Sequence, residues 1–323
     1  MDNNPNMTDH NQPGWEKDIV EKLAFAALNE QKTARRWGIF FKLLTFTYLV
    51  AVLGIAIYPR FKDEISSSGK QHAAVVDVLG VIAEGEAANA NTVIEGLRDA
   101  AKDKNTKGII LNINSPGGSP VQSAYIFDEI RRLKKQHPDL PIYSVVGDMC
   151  ASGGYYIASA ADKIYVNQAS IIGSIGVIMN GFGFTHVLEK LGVERRLLTA
   201  GEHKAMLDPF SPTNEVETKH MQSLLDQVHQ QFISAVREGR GNRLKETETP
   251  DMFSGLVWTG TEGVKLGLAD DFGSVDSVAR EALGTEEKLN FTPQERLIDR
   301  LAGKVGASFG QAISSLAHTA TLQ

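Results

Sequence analysis

Residues 108–118 read GIILNINSPGG, a run that joins an apolar segment to a glycine turn. The aliphatic stretch from Gly108 to Asn114 is typical of a buried strand, and Val121 to Lys135 beyond the turn is predicted to be helical. Predicted strand and helix pairs occur on both sides of this run, at Ala73–Ala83 with Asn91–Lys102 and at Pro141–Val146 with Gly153–Ala161. Alternating strands and helices predict an α/β fold with a largely parallel sheet.

The pattern continues downstream. Further strands are predicted at Lys163–Asn167, Ile171–Met179 and Val193–Thr199. The longest predicted helix of this region is Thr213–Glu238, which has apolar residues at helical spacing. After Leu283 the chain becomes polar, and a capping box then opens a last amphipathic helix whose apolar stripe is Leu297, Leu301, Val305 and Phe309. This stripe is expected to pack on a neighbour or to lie on a membrane surface.

A long apolar run lies near the N-terminus. From Trp37 to Tyr58 there are 22 residues (58−37+1), with Lys42 as the only charge. Roughly 20 residues span a bilayer as a helix, so a transmembrane signal anchor is predicted. A cleaved signal peptide is the alternative, but the run exceeds the 7–15 residues of such a core. Because more basic residues precede the run than follow it, the N-terminus is expected to stay in the cytosol.

The composition of the chain excludes few classes of protein. The formal net charge is −6, which argues against a general nucleic-acid-binding protein. Cys150 is the single cysteine, so the chain can form no internal disulfide.

The first segment with chemical potential is Asn114 to Ser119, read NSPGGS, at the end of a predicted strand. A glycine pair at this point leaves backbone amides unscreened by side chains, and such amides can form an oxyanion hole. Most Pro-Gly-Gly stretches are plain turns, so this signal alone is weak.

The second segment is Asp148 to Tyr156, read DMCASGGYY, again between a strand and a helix. It places the hydroxyl of Ser152 at a helix N-terminus, where developing negative charge is favoured. The simpler interpretation is that Ser152 only caps the helix. Cys150 stands where a G-x-S-x-G elbow requires glycine, which disfavours a Ser-His-Asp triad. Of the histidines, only His203 lies in a suitable predicted loop.

A candidate base follows the Val193–Thr199 stretch, in TAGEHKAML from Thr199 to Leu207. A lysine acts as a base only in its neutral form, which an apolar pocket favours. The apolar residues that follow Lys204 suit such a pocket, although an isolated lysine is most often a solvated surface group.

Taken together, NSPGG, ASGGYYIA, GSIGVI and GEHK resemble, in order and spacing, the serine–lysine peptidases of the signal peptide peptidase A family, S49. The likeness extends over about Ala73 to Leu283 and includes the stretch from Trp258 to Asp270. It implies a fold of the ClpP/crotonase type, built of stacked β-β-α units and preceded by one transmembrane helix. By resemblance, Ser152 is the nucleophile and Lys204 its general base, Ser174 orients the lysine, and the amides of Gly118 and Gly153 form the oxyanion hole.

The sequence patterns and the resemblance together predict a domain organisation. Residues 1–36 would form a cytosolic segment, 37–58 the membrane helix, 59–72 a tether, 73–285 the serine peptidase domain and 286–323 a C-terminal tail with an amphipathic helix. One copy of the fold resembles the short form of the family. That form implies a ring-like homo-oligomer in which Ser152 of one subunit meets Lys204 of its neighbour.

The implied activity is endoproteolysis of remnant signal peptides and other membrane-associated or unfolded peptides, without metal or nucleotide cofactors. The implied location is the bacterial inner membrane, with the catalytic domain on the extracytoplasmic side. Two alternatives remain: a crotonase-like acyl-CoA enzyme, and a non-catalytic membrane scaffold with a vestigial site.

Overall fold

The computed structural model describes residues 15–67 and 69–293. The chain divides into two compact units, Met1–Ser68 and Gly69–Gln323. In the first unit, α1 runs without interruption from Trp15 to Ser67, and its stretch Val20–Gly54 is long and apolar enough to cross a membrane.

The stretch expected as a tether, residues 59–72, is helical as far as Ser67. The first glycine of this stretch is Gly69, two residues beyond the end of the helix. The predicted amphipathic helix of the tail lies outside the described residues.

The second unit contains short strands and helices in alternation. The strands are β1 (His72–Ile82), β2 (Thr106–Gly118), β3 (Ile142–Ala151), β4 (Lys163–Val166), β5 (Ile171–Gly173), β6 (Val257–Thr259), β7 (Asp271–Phe272) and β8 (Lys288–Asn290). The helices are α2 (Ala90–Lys102), α3 (Pro120–Gln136), α4 (Gly153–Ser159), α5 (Thr185–Leu191), α6 (Glu215–Arg240), α7 (Gly260–Leu266) and the short α8 (Val275–Ser277), which a π-helical turn, Val278–Ala282, continues.

The strands form one sheet in the order β6-β5-β3-β2-β1-β8. Outside this order, β4 pairs with β3 and also with β7. All pairs are parallel except β5 with β6. The predicted α/β class with a largely parallel sheet is therefore confirmed.

The central strands are buried on both faces, which explains their nearly continuous apolar sequences. Ile109 and Leu111 of β2 contribute to a large core with the helices, whereas Ile110 between them joins a smaller cluster on the opposite face. The first face carries α2, α3, α4 and the C-terminal half of α6. This packing fixes the carboxyl ends of β2 and β3, where both candidate motifs lie.

Two predicted strands are wrong in extent or in kind. β5 ends at Gly173 rather than continuing to Met179, because Ser174 has a φ of 52°, which is incompatible with a strand. Residues 193–199 form no strand. No neighbouring strand in the described part of the chain offers their backbone groups a ladder, and a strand needs such partners. Conversely, β8 joins the sheet beside β1 although the predicted domain stopped at residue 285.

Candidate active site

Ser152 lies in the sharp turn between β3 and α4, with a φ of 50° and a ψ of −122°. Its N–H donates to the carbonyl oxygen of Gly173 at 2.8 Å, which ties the turn to the end of β5. The residue occupies the N-cap position of α4, but its hydroxyl makes no capping hydrogen bond. The structure therefore does not support the interpretation of Ser152 as only a helix cap.

The glycine pair at the end of β2 packs directly against this turn. A Cβ built on Gly117 would lie 2.7 Å from both the nitrogen of Gly153 and the Cβ of Ser152. A Cβ on Gly118 would collide with the carbonyl oxygen of Ile82 on β1. Both glycines also have positive φ, 100° and 153°, so only glycine fits here without strain.

The backbone of Gly118 lies close to that of Gly153 as a result. The nitrogen of Gly118 lies 3.3 Å from the point that a Cβ of Gly153 would occupy. Gly153 is itself the residue after the serine and is buried at the start of α4. The NSPGG and ASGG motifs, which are separate in sequence, thus bring two amide-bearing glycines and one hydroxyl into a single site.

Ser174 lies beside the same turn, because it follows Gly173, the residue that accepts the Ser152 N–H. Its own N–H donates to the carbonyl oxygen of Leu256 at 2.8 Å, and its φ is 52°. Backbone conformations of this kind cost about 1–3 kcal/mol each outside glycine and cluster at functional sites. Among the described residues, Ser152, Ser174 and Leu207 are the non-glycine residues with positive φ.

Lys204 is placed differently. It lies on an exposed turn within residues 177–214, a segment that we call the arm. No hydrogen bond or ion pair within residues 69–293 joins its side chain to Ser152 or Ser174. Residues 69–293 do not form the apolar pocket expected around Lys204, since Leu207 is exposed and Ala205 and Met206 are only half-buried.

Two other titratable groups near the motifs have different roles. His203 faces Glu217, with 3.0 Å between Nδ1 and Oε1, and the hydrogen bond to this carboxylate raises the pKa of the imidazole. Cys150 is fully buried in β3, and burial raises the pKa of its thiol. A thiol that resists ionisation is a poor nucleophile, so Ser152 remains the candidate of this turn.

Sequence reasoning missed two contributors to this site. Gly117 makes the close approach to Ser152, and the Gly-Gly pair in the sequence was the signal that could have identified it. Leu256 contributes only a backbone carbonyl to Ser174, and its residue type carries no signal for that role.

Comparison with known proteins assigns the chain to a family. The model of Peptidase family S49 matches residues 134–289, and that of Clp protease matches residues 74–172. The putative signal peptide peptidase SppA of Enterococcus faecium is 33% identical over 237 residues, which cover 70% of this chain and 67% of that protein. The chain belongs to peptidase family S49.

Other relatives share a smaller part of their length with this S49 chain. Protease 4 of Haemophilus influenzae is 34% identical over 213 residues, or 34% of its length. The Na(+)/H(+) antiporter NhaA of Brucella abortus is 42% identical over 215 residues, which cover 66% of this chain. The S49 chain spans 29% of the length of that antiporter.

Proposed function

We propose that this chain is a membrane-anchored serine endopeptidase with a Ser152–Lys204 dyad. The observation that carries the proposal is the packing of Gly117 and Gly118 against the uncapped turn of Ser152 and Gly153. A hydroxyl beside backbone amides is the arrangement that acyl transfer requires, because the amides can stabilise the negative charge of a tetrahedral intermediate. Membership of the S49 family supports the same chemistry.

In the proposed reaction, neutral Lys204 accepts the Ser152 proton while Oγ forms a bond to the carbonyl carbon of a peptide. The oxyanion lies at the amides of Gly118 and Gly153. Its collapse breaks the C–N bond, and Lys204 gives its proton to the leaving amine. Water then attacks the acyl-serine with Lys204 again as base, which releases the acid and restores the hydroxyl. Ser174 orients the lysine.

The exposed position of Lys204 supports a shared site. A neutral lysine needs apolar surroundings, and the described residues of one copy do not supply them. We therefore propose a ring-like homo-oligomer in which Lys204 of one subunit meets Ser152 of its neighbour. The exposed apolar side chains of the arm, such as Ile178, Phe182 and Leu198, offer a surface for this assembly.

The proposed substrates are remnant signal peptides and other membrane-associated or unfolded peptides. The relative named as a putative signal peptide peptidase supports this class.

Helix α1 is proposed to anchor the chain in a bacterial inner membrane with the peptidase unit outside the cytosol. Protease added to cells with a permeabilised outer layer should then digest the peptidase unit, whereas its protection would reverse the orientation.

The test of activity uses the full chain in detergent, a denatured protein as substrate and a fluorophosphonate probe. The wild type should hydrolyse the substrate and become labelled, whereas Ser152→Ala and Lys204→Ala should each lose hydrolysis. Since both residues act as one unit, the double variant should be little worse than either single variant. Ser223→Ala, an exposed serine of α6, is the matched control and should behave as wild type. An unlabelled wild type would leave the acyl-CoA enzyme and the scaffold as the alternatives.

A further inference from the structure

The edge strand β6 contains one tryptophan whose position relates to the Ser152 turn. β6 pairs antiparallel with β5, and the register places Trp258 opposite Ile172 and Val257 opposite Gly173. Trp258 is half-buried, whereas Val257 and Thr259 on either side of it are exposed. Trp258 is therefore the side chain through which β6 packs against the molecule.

The edge of the indole ring lies against Gly173. A Cβ built on Gly173 would lie 2.9 Å from Cδ1 of Trp258 and 3.5 Å from its Nε1. Gly173 has a φ of 98°, so the ring and the backbone conformation both require glycine at this position. The carbonyl oxygen of Gly173 accepts the N–H of Ser152 at 2.8 Å. One residue thus connects the indole ring to the proposed nucleophile.

The same strand supports Ser174. The residue before Val257, Leu256, accepts the N–H of Ser174 at 2.8 Å. Ser152 and Ser174 both have positive φ, and such conformations persist only where surrounding contacts hold them. β6 and the residue before it supply contacts on both sides of Gly173. The ring nitrogen of Trp258 is buried and, within residues 69–293, has no hydrogen-bond partner. Packing of the indole ring is therefore the interaction that the structure shows.

We propose that Trp258 is a positioning residue, whose ring holds Gly173 and, through the Gly173 carbonyl, the backbone of Ser152 in the reactive conformation. The inference rests on the proposed role of Ser152 as nucleophile. Trp258 acts through Gly173 and touches no reacting atom. Its removal should therefore lower the reactivity of Ser152 more than the affinity for a peptide.

Three variants of the full chain in detergent test this role. Trp258→Ala removes the ring, Trp258→Phe keeps a smaller ring without the N–H, and Val257→Ala is the matched control on the same strand. Misplacing a reacting group by about 1 Å costs on the order of a hundredfold, so Trp258→Ala should lower kcat and the rate of fluorophosphonate labelling about ten- to a hundredfold. KM should change little, Trp258→Phe should stay within about threefold of wild type, and Val257→Ala should match it.

Labelling of Trp258→Ala at the wild-type rate would overturn the proposal. So would a loss that only follows the unfolded fraction measured by circular dichroism at the assay temperature. A loss in Trp258→Phe as large as in Trp258→Ala would assign the role to the N–H and also overturn the ring proposal. A wild type that is not labelled would instead refute the proposed nucleophile.

A fluorescence measurement covers the case in which Trp258→Ala does not fold. The chain has three tryptophans, Trp15, Trp37 and Trp258, so Trp15→Phe with Trp37→Phe leaves Trp258 alone. Covalent labelling of Ser152 should change the emission of Trp258, and the same probe should cause no change when Ser152→Ala is added. Labelling of Ser152 that leaves the emission unchanged would contradict the coupling.

Discussion

Two regions of the peptidase unit differ in how deeply they bury apolar side chains. They are the scaffold from β1 to β5, residues 72–173, and the arm, residues 177–214. In the scaffold, Ile110, Leu111 and Ile113 of β2 are fully buried. In the arm, Ile178, Phe182 and Leu198 are 86%, 82% and 98% exposed. The scaffold holds the proposed nucleophile and oxyanion amides, whereas the arm holds the proposed base.

The arm nevertheless has internal structure. The N–H of Phe184 donates to the carbonyl oxygen of Pro209 at 2.6 Å, and Arg195 pairs with Asp208 at 3.2 Å. The rings of Phe184 and Phe210 stack with 5.6 Å between their centroids. A segment that is held together but exposes large apolar side chains is typical of an interface. The comparison therefore supports the proposal that one copy supplies the Ser152 half of the site and that a second copy completes it.

The largest effect on activity is expected from the scaffold side of this comparison. Gly118→Ala places a Cβ against the Ile82 carbonyl at a φ of 153°, so the backbone amide of residue 118 must move. Loss of an oxyanion donor costs about a hundredfold or more, and hydrolysis and labelling should fall by at least that factor.

The matched control for this prediction is Gly85→Ala. Gly85 also has a positive φ, 83°, but a Cβ there meets no atom within 4 Å. It should lose about 1 kcal/mol of stability from backbone strain and keep its activity. Equal activity of Gly118→Ala and wild type, measured by substrate hydrolysis, would remove the proposed oxyanion site.

The second prediction concerns the sharing of the site between copies. Inactive Ser152→Ala and inactive Lys204→Ala chains are mixed and allowed to exchange subunits. If each site pairs Ser152 of one copy with Lys204 of another, about a quarter of the sites in an equal mixture contain both intact residues, and activity should return to about that fraction. A mixture that stays inactive after exchange has been demonstrated would place the dyad within one chain.

How far the sequence predicts the structure also differs between the two regions. β2 and α3 follow from local signals, namely a run of aliphatic residues, a glycine pair and an amphipathic period. The packing of Gly117 against Ser152 depends on the register of β2 with β3, where Ser115 is opposite Cys150, and no local pattern encodes that register. In the sequence, only the family resemblance relates the two motifs to each other.

In the arm, local sequence signals predicted a strand that the structure does not contain. Residues 193–199 are rich in residues that favour strands, but strand propensity is realised only where a neighbouring strand pairs with it. Within the described residues of one copy no such neighbour is present. Where the scaffold meets the arm, Ile171–Met179 is typical of one strand in sequence, but the positive φ of Ser174 ends the strand and has no signature in the residue type.

The third prediction tests the arm as an interface. The double variant Ile178→Ser with Leu198→Ser should reduce both the assembled mass by light scattering in detergent and the rate of hydrolysis. Both side chains are exposed in one copy, so the stability of the single chain should change by less than about 0.5 kcal/mol.

Tyr125→Ser is the control for the arm variant, because Tyr125 is an exposed apolar residue of α3 in the scaffold. It should leave mass and activity unchanged. An arm variant with wild-type mass and activity would show that the exposed apolar side chains do not mediate assembly.

The smallest effect on activity is expected from an ion cluster that joins α2 to α3. Glu129 of α3 is only 6% exposed and accepts hydrogen bonds from Arg98 of α2 at 2.8 Å and from Arg132 at 2.9 Å. The hydrogen bond with Arg132, assisted by Arg98, lowers the pKa of this carboxyl from 4.5 to about 2 against the opposing effect of burial.

Glu129→Gln should therefore destabilise the scaffold without altering the chemistry. A lost charged hydrogen-bond partner costs about 2–3 kcal/mol, which should appear in urea unfolding at pH 7. Because the folded pKa lies below the unfolded value, the carboxylate stabilises the wild type fully above about pH 4.5 and loses that contribution as the pH falls toward about 2. The stability difference between wild type and Glu129→Gln should shrink over this interval, whereas Glu95→Gln, an exposed carboxylate of α2, should show little difference at any pH. A difference that stays constant from pH 7 to pH 2 would mean that the cluster stabilises the scaffold by packing rather than by charge.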